Sequence, residues 1–203
     1  MTDKYTDDVD WMPEDDVVVP YTQLSEDAQI TAQYNLRESL DYLQEQLKKA
    51  AECVTSAIIS RCSINESFVR ANVLFEEFDR YNIPHVISSL AISIDQEDAI
   101  VDFLSQFRFL GVRNEFELKL IRSVTIRAIG GVCIAEVTVC AGLEDETVAE
   151  IQNVLTGYAR KLDVIAQEIA EDFVLDSYYR ATIHAYLVER NVMCCEDGEI
   201  VDD

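Results

Sequence analysis

The chain has 203 residues, 49% of them hydrophobic, and carries 39 Asp and Glu against 16 Lys and Arg, a formal net charge of −23. That length suits one domain with tails and leaves ample apolar material for a core. An acidic field of this strength opposes direct binding to nucleic-acid phosphate or to an anionic membrane surface, so proteins with basic surfaces are the partners to expect.

The opening, Met1-Thr-Asp-Lys-Tyr-Thr-Asp-Asp8, lacks the basic and apolar regions of a secretory signal, and the expected compartment is the cytoplasm. No stretch reaches the roughly 18 to 20 apolar residues that span a bilayer. Six cysteines, Cys53, Cys62, Cys133, Cys140, Cys194 and Cys195, include no Cys-x-x-Cys pair and read as reduced thiols.

Residues 1–16 set seven acids against Lys4 and read as an acidic, disordered arm, first of all a solvating tail, with an interaction peptide anchored by Trp11 and Met12 as the alternative. Residues 17–195 read as one α+β domain, and residues 196–203 as an acidic tail. Val17-Val-Val ends at Pro20 as a short strand. Ser25 before Glu26 and Asp27 is an N-cap followed by two acids at the positive end of a helix dipole, so a long helix is expected from about residue 25 to residue 59. Along it Leu36, Leu40, Leu43, Leu47, Ala50, Val54 and Ala57 recur at heptad spacing.

Ser67 to Tyr81 is expected to be helical, closed by Asn82-Ile-Pro84, and His85 to Ile94 to be a strand. Asp95 opens a short element through Phe109. Phe116, Leu118 and Leu120 alternate with polar residues into Val124–Ile129, and Gly130-Gly131 turns the chain into Val132–Cys140, a hairpin over about 115–140. A second long helix, about 144–175, carries Ile151, Leu155, Tyr158, Leu162, Ile165 and Ile169 as an apolar stripe. The two stripes suit packing on each other, with a homodimeric coiled coil as the alternative. The order implies an α+β fold: an antiparallel sheet with a central hairpin, packed against two long helices.

Catalytic signatures are absent. His85 and His184 are far apart and neither has a ligand-type partner one turn away. No G-x-S-x-G elbow, P-loop or G-x-G-x-x-G fingerprint occurs, and no cofactor or metal is expected. Cys133 and Cys140, an odd offset apart on one strand, point to opposite faces, and Cys194-Cys195 reads as two half-buried thiols. Glu146 with Glu150, and Glu168 with Glu171 and Asp172, could hold Mg²⁺ in a metal-dependent hydrolase, the third alternative.

The acidic helix faces are the main functional signal. Glu26, Asp27, Glu38, Asp41, Glu45 and Glu52, then Glu144, Asp145, Glu146, Glu150, Glu168, Glu171, Asp172 and Asp176, can imitate the phosphate ladder of DNA, although Lys48, Lys49, Arg160 and Lys161 interrupt them. The segment Thr22-Gln-Leu-Ser-Glu-Asp-Ala-Gln29 resembles the E-L-S-E-E-A-Q opening of poorly characterised phage and prophage proteins, some labelled antitoxin-like. Asp176-Ser-Tyr-Tyr-Arg180, Leu187-Val-Glu-Arg-Asn191 and Glu196-Asp-Gly-Glu-Ile200 are similar to their closing helix and E-D-G turn. Ser105-Gln-Phe-Arg-Phe-Leu-Gly111 departs from their S-Q-G-D-G stretch. The resemblance covers the two ends only and implies a small α+β mobile-element protein that acts by protein binding. The resulting expectation is a non-enzymatic inhibitor, DNA-mimic-like, of a host nuclease or other DNA-processing enzyme. Its rival is an antitoxin-like or assembly partner binding through apolar helix faces.

Overall fold

A computed structural model describes residues 17–109, 112, 115–140 and 142–201. They fall into two compact units: residues 39–179, and residues 17–38 with 180–201. The acidic arm with Trp11 lies outside the described residues.

In the terminal unit β1 (Val18–Pro20) is followed by α1 (Glu26–Glu38), capped by Ser25, whose Oγ accepts the Ala28 N–H at 3.3 Å. The helix stops at Ser39, not near Ser60. Ser39 takes an extended conformation (ψ 124°), its Oγ accepts the Tyr42 N–H at 3.3 Å, and α2 (Leu40–Cys62) starts afresh. A serine that can satisfy the first N–H groups of a new helix competes with continuing the old one. The heptad stripe is therefore divided, and Leu40 is 66% exposed.

The largest difference from the sequence reading follows. Residues 69–78 form β2 (Val69–Phe78), not a helix, and β3 (Pro84–Ile94) returns antiparallel to it. Val69, Ala71 and Val73 alternate with Arg70, Asn72 and Leu74, a period of two that pairing with β3 rewards. The Asn82-Ile-Pro84 segment is the turn between them: Asp79 accepts the Tyr81 and Ile83 N–H groups at 2.7 and 2.9 Å, and Asn82 takes a positive φ of 55°. These bonds, the one from Ile83 first, hold the Asp79 carboxyl below its ordinary pKa.

After α3 (Glu97–Leu104), residues expected to begin the hairpin form a helical turn, α4 (Glu115–Leu118), and β4 (Ile121–Ile129) begins later. Gly130 and Gly131, at φ 52° and 85°, carry the chain into β5 (Val132–Val139) through the left-handed conformations that glycine adopts without strain. The sheet order is β2-β3-β4-β5, antiparallel throughout.

The helix α5 (Asp145–Ser177) and α2 cover one face of this sheet. Ile92, Ile94, Val124, Ile126 and Ala128 point into that layer and are buried. The apolar stripes of the two helices are spent there: Leu43, Ala50 and Val54 are buried, as are Ile151, Leu155 and Leu162. The helices run antiparallel, since the Tyr42 hydroxyl donates to the Ser177 carbonyl at 2.6 Å while Cys62 meets Tyr158 at 3.4 Å. The chain is thus α+β, a four-stranded antiparallel sheet packed against long helices.

In the terminal unit α6 (Arg180–Glu189) leads to β6 (Met193–Cys195), which pairs antiparallel with β1. Residues beyond it fold back, with Cys195 N–H to Glu199 C=O at 2.8 Å and Val201 N–H to Met193 C=O at 3.0 Å. Gly198 sits at φ 94° against α1, where any Cβ would overlap the Ala28 carbonyl. No helix among the described residues is long and apolar enough to cross a membrane.

Candidate functional site

The solvent side of α5 follows from its buried side. With Ile151, Leu155, Ala159, Leu162, Ala166 and Ala170 packed inward, Glu146, Glu150, Glu168 and Asp172 fall on the opposite face. Glu150 and Glu168 are separated by five turns, about 27 Å along the axis at 1.5 Å per residue. Exposed Arg160 and Lys161 lie between the two acidic ends. The antiparallel packing brings Asp41, in the first turn of α2, beside the Asp172 and Asp176 end of α5. Several carboxylates have work inside the unit: among the candidates Glu45 pairs with Lys49 at 2.8 Å, Glu171 accepts from Gln167 Nε2 at 2.7 Å, and Glu150 also has an interaction. Glu26, Asp27 and Glu38 are exposed but belong to the terminal unit.

The trio Glu168, Glu171 and Asp172 does not converge. Among the described residues the group of ligand-type side chains within 4.8 Å of one another is Cys195, Asp197 and Glu199, gathered by the turn after β6. There Asp197 Oδ1 already accepts the Glu199 N–H at 3.0 Å, which accounts for the clustering as turn geometry.

Sequence reasoning missed a polar relay in the terminal unit. Arg180 Nε donates to Gln33 Oε1 at 3.1 Å, Gln33 Nε2 donates to Tyr21 Oη at 2.6 Å, and Tyr21 Oη meets His184 Nδ1 at 2.8 Å. Arginine can only donate, so it fixes the orientation of the Gln33 amide. The amide then donates to the phenol, and the phenol proton goes to Nδ1. With the phenol as donor, His184 Nδ1 is the acceptor and the ring proton sits on Nε2. Tyr21 is 1% exposed, while His184 faces an open depression of about 600 Å³ lined also by Glu26, Gln29 and Arg180. The site holds an imidazole, a guanidinium and a carboxylate, a set suited to a polar group, and the described residues that line it include no serine or cysteine.

Comparison with protein-family models, curated proteins and solved structures finds no match to this chain. The site is therefore read from its own chemistry.

The six cysteines are free thiols, and the buried ones are poorly disposed to react. Burial pushes Cys62 up, and it lies beside Tyr158, itself pushed up mainly by burial and then by Cys62. The pair adjoins Phe103 and Phe107, whose rings lie 6.4 and 4.9 Å from that of Tyr158. Gln106 Nε2 closes the end of α2 by donating to the Cys62 carbonyl at 3.0 Å. Burial also raises Cys194. Raised pKa values leave little thiolate at neutral pH. A second open groove, about 720 Å³, runs between α2 and the edge strand β2, lined by Leu47, Lys48, Ala51, Glu52, Ile59 and Ala71 among others.

Proposed function

We propose that this chain is a non-enzymatic protein-binding module whose carboxylate-bearing helix layer docks on a basic surface of a partner, of the kind that otherwise holds nucleic acid. The observation that carries the reading is the solvent side of α5, where Glu146, Glu150, Glu168 and Asp172 line one face of a 33-residue helix with Asp41 and Asp176 beside its far end. A formed helix presents these charges with no backbone ordering cost at binding, and opposite charge speeds encounter and selects the partner. In its sharpest form the module is a DNA-mimic-like inhibitor of a nuclease or other DNA-processing enzyme, encoded by a phage or mobile element and acting in the cytoplasm. The likeness of the chain ends to phage and prophage proteins points the same way. The rival, docking through apolar helix stripes, has less to draw on, because most of both stripes, Leu40 and Leu47 apart, is buried between the helices and the sheet.

The test immobilises the full chain, passes bacterial lysate over it at about 50 and about 500 mM salt, identifies what is retained, and measures whether the chain displaces labelled duplex DNA from it. The expected result is a DNA-processing enzyme held at low salt, released at high salt, and lost with Glu168→Lys/Asp172→Lys. A partner indifferent to salt and to that double substitution overturns the reading.

A further inference from the structure

Among the described residues of unit 39–179, the helix packing on the β2-β3-β4-β5 sheet falls on one face, and the other face carries exposed side chains. The register places Asn72, Ser89, Ile129 and Val132 in one row across it, and Arg70, Ala91, Arg127 and Ile134 in the next. Leu74 and Ile87 pair above these rows, and Ser93, Thr125 and Glu136 lie below. Leu74 is 46% exposed, Ile129 45%, Val132 61% and Ile134 51%. Ile129, Val132 and Ile134 adjoin one another at the β4–β5 end of this pleated face, and Ile87 links them toward Leu74 on β2, an exposed aliphatic patch of the kind that marks an interaction surface.

Charge says what covers it. The chain carries −23, yet the outward side chains of this face include two carboxylates, Glu136, diagonal to Arg127 on the adjacent strand, and Glu77, paired with His85 past the β2 bulge, against Arg70 and Arg127. Two copies meeting through their helix layers would press acid on acid; through this face they would not. Arg127 and Glu136 are diagonal neighbours on adjacent strands, and among the described residues neither forms a salt bridge or side-chain hydrogen bond within its own chain. A two-fold axis lets each copy's Arg127 reach the other's Glu136, and the reverse, which is the reciprocity an isologous interface requires.

We propose that this open sheet face is where two copies of the chain pair, sheet against sheet. Its footprint, about 19 by 27 Å from four strands of about eight residues, is some 500 Å² in projection, at the small end for specific interfaces. A reversible dimer with a dissociation constant in roughly the micromolar range suits that size. The inference is independent of the acidic helix surface and behaves oppositely: partner docking there weakens with salt, whereas self-pairing here strengthens as salt screens the repulsion of two −23 chains.

Sedimentation equilibrium of the full chain from about 1 to about 200 µM, at about 50 and about 500 mM NaCl, tests it. The expected result is a monomer–dimer equilibrium at least about threefold tighter at the higher salt. Ile134→Glu should weaken it about tenfold or more, as should Arg127→Glu alone, and Arg127→Glu/Glu136→Arg should recover it to within about threefold. Circular dichroism and thermal unfolding confirm that each variant is folded. The charge swap, on exposed side chains without partners, reads the interface even where Ile134→Glu disturbs β5. A monomer throughout, a dimer that weakens with salt, one indifferent to Ile134→Glu, or failure of the swap to restore pairing overturns the proposal.

Discussion

Gln167 acts as a substitute strand for Ser88. Its Oε1 accepts the Ser88 N–H at 2.8 Å and its Nε2 donates to the Val86 carbonyl at 2.7 Å. Both groups belong to the part of β3 that precedes its ladder with β4, which begins at Ser89. A side-chain amide on α5 thus completes the hydrogen bonding of β3 where its neighbouring strand has turned away, and fixes helix and sheet to each other.

Gln167→Leu should leave a strand N–H and C=O without partners and lower stability by about 2–4 kcal/mol, read from urea unfolding. Gln167→Glu keeps the acceptor for Ser88 but loses the donor to Val86 and sets a second carboxylate against Glu171. Adding Glu171→Gln should then recover part of the loss. If Gln167→Leu unfolds like the parent, the amide is not a structural partner of β3.

The β4–β5 turn has a similar support from α5. Asp163, 8% exposed, accepts the Gly131 N–H at 2.9 Å. Asp163→Ala should cost about 1–3 kcal/mol by orphaning that donor, and Asp163→Asn less, because an amide oxygen can still accept it. Gly131 has open space around its missing Cβ but a φ of 85°, so Gly131→Ala should cost roughly 1–2 kcal/mol from backbone strain alone. Equal unfolding midpoints for Asp163→Ala and the parent would remove the turn support.

Much of this architecture is legible in the sequence, and the failures are physical. Gly130-Gly131 announces its hairpin because two successive positive φ angles admit few other residues. The Ser25 cap and the long second helix are equally plain. Residues 69–78 mislead because Phe68, Val69, Val73 and Leu74 also satisfy a helical period, and only β3 supplies the pairing that makes a strand cheaper. Ser39 looks like an ordinary helix residue until its hydroxyl caps Tyr42. Which face of the β4–β5 hairpin the helices cover is not legible either, since alternation separates two faces without saying which one is buried. The relay is hidden altogether: Tyr21 and His184 are 163 positions apart, and only the folded terminal unit joins them.

Asp79 gives a pH signature. Its carboxylate is held below its ordinary pKa by the Ile83 and Tyr81 N–H groups, so the folded-state pKa lies below the unfolded one. The stabilisation it provides is therefore complete above the unfolded pKa of about 3.9 and is lost as pH falls through the lower folded value. The stability difference between the parent and Asp79→Asn should be constant from about pH 5 to 7 and shrink below about pH 4. Thermal unfolding at a series of pH values checks this, and a difference unchanged down to pH 2 would assign the effect to turn shape instead of charge.

The relay favours one tautomer of His184, which can be observed directly. Since Arg180 orients Gln33 and Gln33 leaves the Tyr21 proton for His184 Nδ1, the imidazole should carry its proton on Nε2. Nitrogen-15 shifts of the His184 ring should show an accepting Nδ1 and a protonated Nε2 in the neutral form. Tyr21→Phe removes the donor to Nδ1 and the acceptor of the Gln33 amide, so the ring should drift toward a tautomer mixture. Stability should fall by about 1–3 kcal/mol, because the Gln33 amide is buried and loses its partner. Gln33→Leu should act through the same chain: the amide no longer directs the Tyr21 proton to His184 Nδ1, so the tautomer preference should weaken, and Arg180 loses its acceptor. A ring that keeps the Nε2 proton as firmly in Tyr21→Phe as in the parent would show that another group, and not this relay, sets the state of His184.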